Sequence, residues 1–188
     1  MMLDTPVRAL MAGFAVLAAL VVLAVLSGHM MPPDLLRIAS RAFHVFSAIV
    51  WVGLIWFVNM IQLVVLYEAD DAAKGAFRTW IIPRVAKHFK MAGNLTVLTG
   101  LVLLYQFGYL TSRPFGSSAW LWLGVLGGTI MLGLVHARIS PAIRVMLDAA
   151  ITDPDLKKAA RLTVRRYARI NLLLSVPVTF AMVAGAHG

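Results

Sequence analysis

Residues 42–67, AFHVFSAIVWVGLIWFVNMIQLVVLY, decide the fold class of this chain. The stretch contains no Asp, Glu, Lys or Arg, and it exceeds the roughly 20 residues that a helix needs to cross the hydrocarbon core of a bilayer. Further stretches without charged side chains lie at 9–33, 91–112, 114–137 and 170–188. The sequence therefore predicts an all-α integral membrane protein with five transmembrane helices.

The composition supports this class and limits the kinds of cofactor. Hydrophobic residues make up 61% and charged residues 13% of the chain, with a mean hydropathy of +0.85, whereas soluble domains carry roughly 25% charged residues. Cysteine is absent, which excludes disulfides, iron–sulfur clusters, thiolate zinc sites and covalently attached c-type haem. Any redox centre must therefore be held by His, Met or carboxylate side chains.

Proline and acidic residues mark where the predicted helices begin. Pro32 and Pro33 interrupt the first apolar stretch, and Asp34 can cap the helix that follows. Asp153 before Pro154 has the form of a cap followed by proline in the first turn. We expect a single transmembrane domain over 1–188, with helices near 9–28, 36–67, 86–110, 117–138 and 155–186.

Polar residues distinguish inner helices from an outer one. Helix one has no internal polar group beyond Ser27, so we expect it to be peripheral and to face lipid. Because polar groups in hydrocarbon must face protein, cofactor or water, helices two to five are expected to form an inner four-helix bundle. The polar residues expected in its interior are Asn59, Gln62, Asn94, Thr99 and Asn171.

Glycines in helix four allow a neighbour to approach closely. Gly124 and Gly128 form a small-xxx-small pair, a pattern that usually serves helix association. The alternative is room for a flat macrocycle, since glycine lets the backbone approach a ligand. Gly133 lies about one turn before His136, where such room would matter.

The positive charge of the chain predicts its orientation. Of the 17 Lys and Arg residues, Arg37, Arg41 and Arg113 lie on one side of the predicted membrane and the other 14 on the opposite side. The positive-inside rule then places the N-terminus in the cytoplasm and the C-terminus in the periplasm. Orientation accounts for the net charge of +9, and we expect no nucleic-acid partner.

One group of basic residues recurs at i, i+4 spacing near the start of the last helix. The group consists of Lys157, Arg161, Arg165 and Arg169. The spacing predicts a stripe that contacts the headgroups of anionic lipid. Docking of an acidic partner is the alternative.

His88 and His136 lie at similar predicted depth, at the cytoplasmic edges of helices three and four. Because imidazole is a common haem ligand, the pair indicates b-type haem held between two helices, with Gly133 leaving room for the macrocycle. The residues placed to neutralise its propionates are Arg84, Lys87 and Arg138. The alternative is two interfacial histidines bonded to headgroups, water or Asn94.

The remaining histidines are predicted at the outer face. His44 and His187 could together form a second site, for a metal. The alternative for His44 is a buried imidazole bonded to a neighbouring helix. His29 follows helix one and has the least support as a ligand.

Residues 41–59, RAFHVFSAIVWVGLIWFVN, resemble a helix in the membrane domain of bacterial urate oxidases of the urate hydroxylase type, with its His, Trp-x-Gly and Phe-x-Asn elements. Later segments resemble the following helices of that domain in the same order. They are Pro83–Arg84 with 98–101, 128–131 with Pro141, and 169–177 with 182–187. The resemblance covers about 40–188 and the later half of that larger domain. His44 and His187 match family positions, whereas His88 and His136 stand where the family has aromatic residues.

The resemblance implies an inner-membrane protein associated with oxidoreduction, which in that family is paired with a cytochrome c module. We therefore predict a subunit of an electron-transfer or oxidase complex in the bacterial inner membrane, with other membrane subunits or a cytochrome c as partners. Whether the chain is itself an enzyme stays open. The alternatives are a haem-free structural or assembly subunit, and a metal or small-molecule transporter.

Overall fold

The computed structural model describes residues 5–29, 31–111 and 119–187, and within these residues the chain is helical without any strand. The all-α fold class is thus confirmed. Four of the described helices are long and apolar enough to cross a membrane. They span Pro6–Leu26, Asp34–Glu68, Ala119–Leu147 and Pro154–Ala186.

The chain divides into two compact units, Met1–Ser40 and Arg41–Gly188, where the sequence predicts a single domain. The first unit contains α1, Pro6–Leu26, which begins after Thr5, whose side chain accepts a hydrogen bond from the Arg8 backbone N–H at 3.3 Å. None of the residues of α1 is buried. A helix that is apolar all round and unburied in its own fold is typical of a membrane span.

Three interrupted helices and one continuous helix build the second unit. Helix α2, Pro32–Phe57, which begins in the first unit, continues through a π-helical turn, Val58–Gln62 (π1), into α3, Leu63–Glu68. Helix α4, Asp71–Ala76, continues through Phe77–Ile81 (π2) into α5, Ile82–Gln106. Helix α6, Ala119–Leu134, continues through Val135–Ile139 (π3) into α7, Ser140–Leu147, and α8 spans Pro154–His187.

The helix bounds differ most from the predicted ones in two places. The segment before α5 is helical from Asp71, because Asp70 accepts a hydrogen bond from the Ala73 backbone N–H at 2.8 Å and so caps a helix that leads into α5. The fourth predicted helix continues beyond 138 to Leu147, with Pro141 lying directly after π3.

Close packing of α6 against α8 holds one end of the second unit together. A Cβ atom added at Gly185 would lie 2.6 Å from the Leu121 backbone, and one added at Gly124 would lie 2.9 Å from Met182 Cγ. Gly127 likewise contacts Val178. Gly128, in contrast, has open space where a Cβ would lie. The predicted helix association therefore uses Gly124 with Gly127 and Gly185, and not the pair of Gly124 with Gly128.

Candidate functional site

His88 and His136 are both exposed, and each is bonded to a different part of the protein. His88 Nδ1 donates to the Arg84 carbonyl oxygen one turn earlier in its own helix, at 2.8 Å. His136, within π3, donates from Nε2 to Asn94 Oδ1 at 2.8 Å. His136 thus makes the bond to Asn94 that the sequence suggested as the alternative to haem ligation.

His88 and the partner of His136 lie on different faces of α5. His88 and Asn94 are six residues apart on α5, which corresponds to roughly 240° around the helix and about 9 Å along it. Since His136 meets α5 at Asn94, it lies against a face that does not carry His88. Both histidines are thus hydrogen-bonded within the protein, and a haem held between them stays a prediction.

The other residues assigned to that haem are engaged locally or stand apart. Arg84 donates to the Trp80 carbonyl oxygen at 2.7 Å and lies over the Trp80 ring. The Arg138 guanidinium lies 5.7 Å from the centre of the Tyr167 ring. Lys87 is exposed. Gly133 is exposed, and a Cβ added there would meet nothing within 4 Å.

His44 has the environment of a positioned imidazole. It is half-buried, and its Nδ1 donates to the Thr96 carbonyl oxygen of α5 at 2.9 Å and lies 3.1 Å from Thr99 Oγ1. A His that binds a metal commonly donates its other ring nitrogen to a backbone carbonyl in this way. A Cβ at Gly100 would lie 3.1 Å from His44 Cε1, so the glycine makes room for the ring.

A metal site at His44 with His187 stays a prediction. The side chain of His187 lies outside the described residues. Among the residues that the structure does describe, no three His, Asp or Glu side chains come together as a metal-binding group.

The predicted polar interior divides into buried and exposed members. Asn59 is buried and donates from Nδ2 to the carbonyl oxygens of Ile55 at 2.8 Å and Ala168 at 3.2 Å. Asn171 is buried and lies 3.4 Å from the Met131 carbonyl oxygen, and Thr99 is half-buried. Asn94 is exposed in the isolated chain and is bonded to His136 at 2.8 Å.

A cavity of about 660 Å³ lies at the other end of the second unit from the α6–α8 glycines. All three π-helical turns line it, through Asn59 and Gln62 of π1, Arg78 of π2, and Val135 and Ile139 of π3. π-turns inside α-helices occur frequently at functional sites, because the extra residue displaces the side chains that follow. The volume is within the range of roughly 300–1,000 Å³ that small-molecule sites have.

Two buried amides of the cavity lining have unsatisfied acceptors. Asn59 is 8% exposed and Gln62 is 6% exposed, and neither Asn59 Oδ1 nor Gln62 Oε1 has a hydrogen-bond partner. A buried carbonyl oxygen without a donor costs roughly 1–3 kcal/mol. Both oxygens are themselves buried, so a ligand that donates hydrogen bonds would satisfy them once these side chains turn toward the cavity.

The charges along the cavity are positive. Arg161, Arg165 and Arg169 follow one another along α8, over about 12 Å of helix, and Arg78 lies on π2. The described lining residues include no Asp or Glu. Arg169 follows Ala168, whose carbonyl oxygen accepts from Asn59, so the arginine row reaches the depth of the buried amides.

The sequence indicates several residues of this cavity but not how the fold brings them together. The sequence predicts that Asn59 and Gln62 lie in the interior, and the i, i+4 spacing of the arginines predicts contact with lipid headgroups. The π-turns carry no spacing signal that a single sequence shows, and they decide where these groups meet. Comparison with known protein families, with characterised proteins and with solved structures finds no match for this chain.

Proposed function

We propose that the chain is a multi-pass protein of the bacterial inner membrane with five crossing helices. The four long apolar helices support four crossings, and the charge-free residues 91–106 of α5, about 24 Å of helix, support a fifth. The concentration of Lys and Arg on one side supports a cytoplasmic N-terminus and a periplasmic C-terminus. The absence of buried residues in α1 supports direct contact of this helix with lipid.

We infer further that the protein is a membrane subunit of an electron-transfer or oxidase complex and holds a small amphipathic molecule in the cavity of the second unit. The observation that carries ligand binding is the meeting of three π-turns around apolar walls with two unsatisfied amide oxygens. The role in a redox complex is supported by the resemblance of residues 40–188 to the urate oxidase membrane domain. Other membrane subunits or a cytochrome c are the partners that this role requires.

Native mass spectrometry of the protein released from detergent tests ligand binding in the cavity. Ala86 is half-buried and lines the cavity, so the larger side chain of Ala86→Phe should obstruct it and displace a bound small molecule that the wild type retains. Ala137→Phe is the matched control, because Ala137 is exposed and does not line the cavity. Retention of the same mass by Ala86→Phe in a protein of native helix content would contradict the proposal.

A b-type haem is a second candidate ligand, favoured by one observation. His44 bonds the Thr96 carbonyl oxygen through Nδ1, which orients the ring with Nε2 directed away from that bond. A reduced-minus-oxidised absorption spectrum of protein produced with haem in excess tests it. Loss of the haem bands in His44→Ala would identify His44 as a haem ligand. Loss of the bands in His88→Ala or His136→Ala would instead identify the pair of ligands that the sequence predicts. Absence of bands would exclude haem and leave a haem-free subunit.

A further inference from the structure

The arginines of α8 that line the cavity, Arg161, Arg165 and Arg169, lie just before the charge-free part of that helix. Arg169 is the last charged residue of α8, and 170–188 contains no Asp, Glu, Lys or Arg. In a helix that enters a bilayer, this boundary lies at the depth of lipid phosphates, where basic side chains meet anionic headgroups. The cavity therefore opens at the headgroup level and extends its apolar walls toward the hydrocarbon.

The chemistry of the lining defines its occupant in three respects. Arginines bind phosphate by charge-assisted hydrogen bonds. The oxygens of Asn59 and Gln62 need donors, which a hydroxyl supplies. The walls formed by side chains such as Val85, Phe89 and Ile143 need an apolar partner.

We propose that the cavity binds an acidic glycerophospholipid with a hydroxyl-bearing head, such as phosphatidylglycerol. Its phosphate lies between Arg165 and Arg169, a head-group hydroxyl donates to Asn59 Oδ1 or Gln62 Oε1, and the start of its acyl chains fills the apolar part. This inference rests on the proposal that the cavity holds an amphipathic molecule. It differs from a general stripe of lipid contact, because Lys157 and Arg166 do not line the cavity and Arg78 of another helix does.

Native mass spectrometry of delipidated full-length protein, titrated with dioleoyl phosphatidylglycerol, tests the inference. We expect one lipid to be retained per chain. Dioleoyl phosphatidylcholine should bind roughly tenfold more weakly, because its choline group lacks a hydroxyl donor and its quaternary ammonium is repelled by the arginines. The double variant Arg165→Gln with Arg169→Gln should weaken binding of phosphatidylglycerol by roughly tenfold or more, since two charge-assisted contacts are lost. Gln62→Met should reduce the preference for phosphatidylglycerol over dioleoyl phosphatidic acid, which has no glycerol head.

Arg166→Gln is the matched control, because Arg166 is exposed, adjoins Arg165 and does not line the cavity. It should change the affinity by less than about threefold, as for an exposed charge. An equal loss in Arg166→Gln and in the double variant would overturn the inference in favour of a non-specific basic surface. Displacement of the lipid by millimolar inorganic phosphate alone would overturn it in favour of a free anion.

The two proposals fail in different ways. If Ala86→Phe releases a bound molecule but phosphatidylglycerol does not compete for the site, the lipid assignment is wrong and the cavity still binds a ligand. If Ala86→Phe releases nothing and no lipid binds with preference, both proposals are wrong. Circular dichroism of each variant checks that its helix content is that of the wild type.

Discussion

The helices of the second unit pack closely at one end and leave a cavity at the other. At one end Gly124, Gly127 and Gly185 let α6 and α8 approach until the position of a Cβ is occupied by the neighbouring helix. At the other end the same helical hairpin reaches π3, where a wider turn helps to line a cavity with α8. Glycine removes side-chain volume, whereas a π-turn inserts a residue and shifts the faces that follow. The comparison indicates that one end is closely packed, whereas the other encloses a cavity.

Gly185→Ala should have the largest effect on the closely packed end. Its Cβ would lie 2.6 Å from the Leu121 backbone, so the helices must separate, at a cost of about 1–3 kcal/mol of unfolding free energy as for other overpacked sites. Thermal unfolding in detergent, followed by circular dichroism, measures the loss. Gly128→Ala is the control, because Gly128 is buried and has open space for the methyl group. Equal destabilisation by both variants would mean that the glycines do not distinguish this interface.

Asn59→Leu should lower the free energy of unfolding by less than Gly185→Ala does. The variant removes the donor that links π1 to the Ala168 carbonyl oxygen of α8, and a lost buried hydrogen bond of this kind costs about 1–2 kcal/mol. The same denaturation measurement applies. An unchanged stability would show that the α2–α8 contact is held by apolar packing alone.

Gln62→Met should separate stability from ligand binding. The replacement has similar volume and removes a buried oxygen that has no donor, so we expect unchanged or slightly raised stability, by less than about 1 kcal/mol. Binding of the cavity ligand should weaken in the same protein. A clear loss of stability without loss of binding would indicate that Gln62 serves packing.

His136→Ala should have the smallest effect. His136 is exposed, and its bond to Asn94 is the contact that the substitution removes, so we expect a loss below about 1 kcal/mol and no change in cavity binding. Denaturation and lipid titration of the same sample check both expectations. A large loss of binding would show that the exposed edge of α5 and the cavity are coupled.

Much of the fold follows from local features of the sequence. The charge-free stretches predict the long helices because no charged side chain interrupts them, and Pro154 after Asp153 predicts the start of α8 almost to the residue. The predicted third helix begins near 86, whereas Asp70 caps a helix that begins at Asp71 and leads into α5. The small-xxx-small spacing pointed to α6, but the contact depends on which residues of α8 lie opposite, and a single sequence does not contain that information.

For the candidate site too, some features follow from the sequence and others only from the tertiary structure. The sequence by itself determined which residue types are available: inward amides at 59 and 62, arginines at i, i+4 spacing on the last helix, and histidines near helix ends. Only the tertiary structure decided that His136 bonds Asn94 on a face of α5 that His88 does not share, and that the amides and arginines meet around one cavity. The physical reason is that the sequence of one helix shows which of its residues share a face, whereas a cavity depends on how several helices are aligned with one another. Each π-turn inserts a residue and so rotates the faces that follow it away from the positions expected from a regular α-helical period.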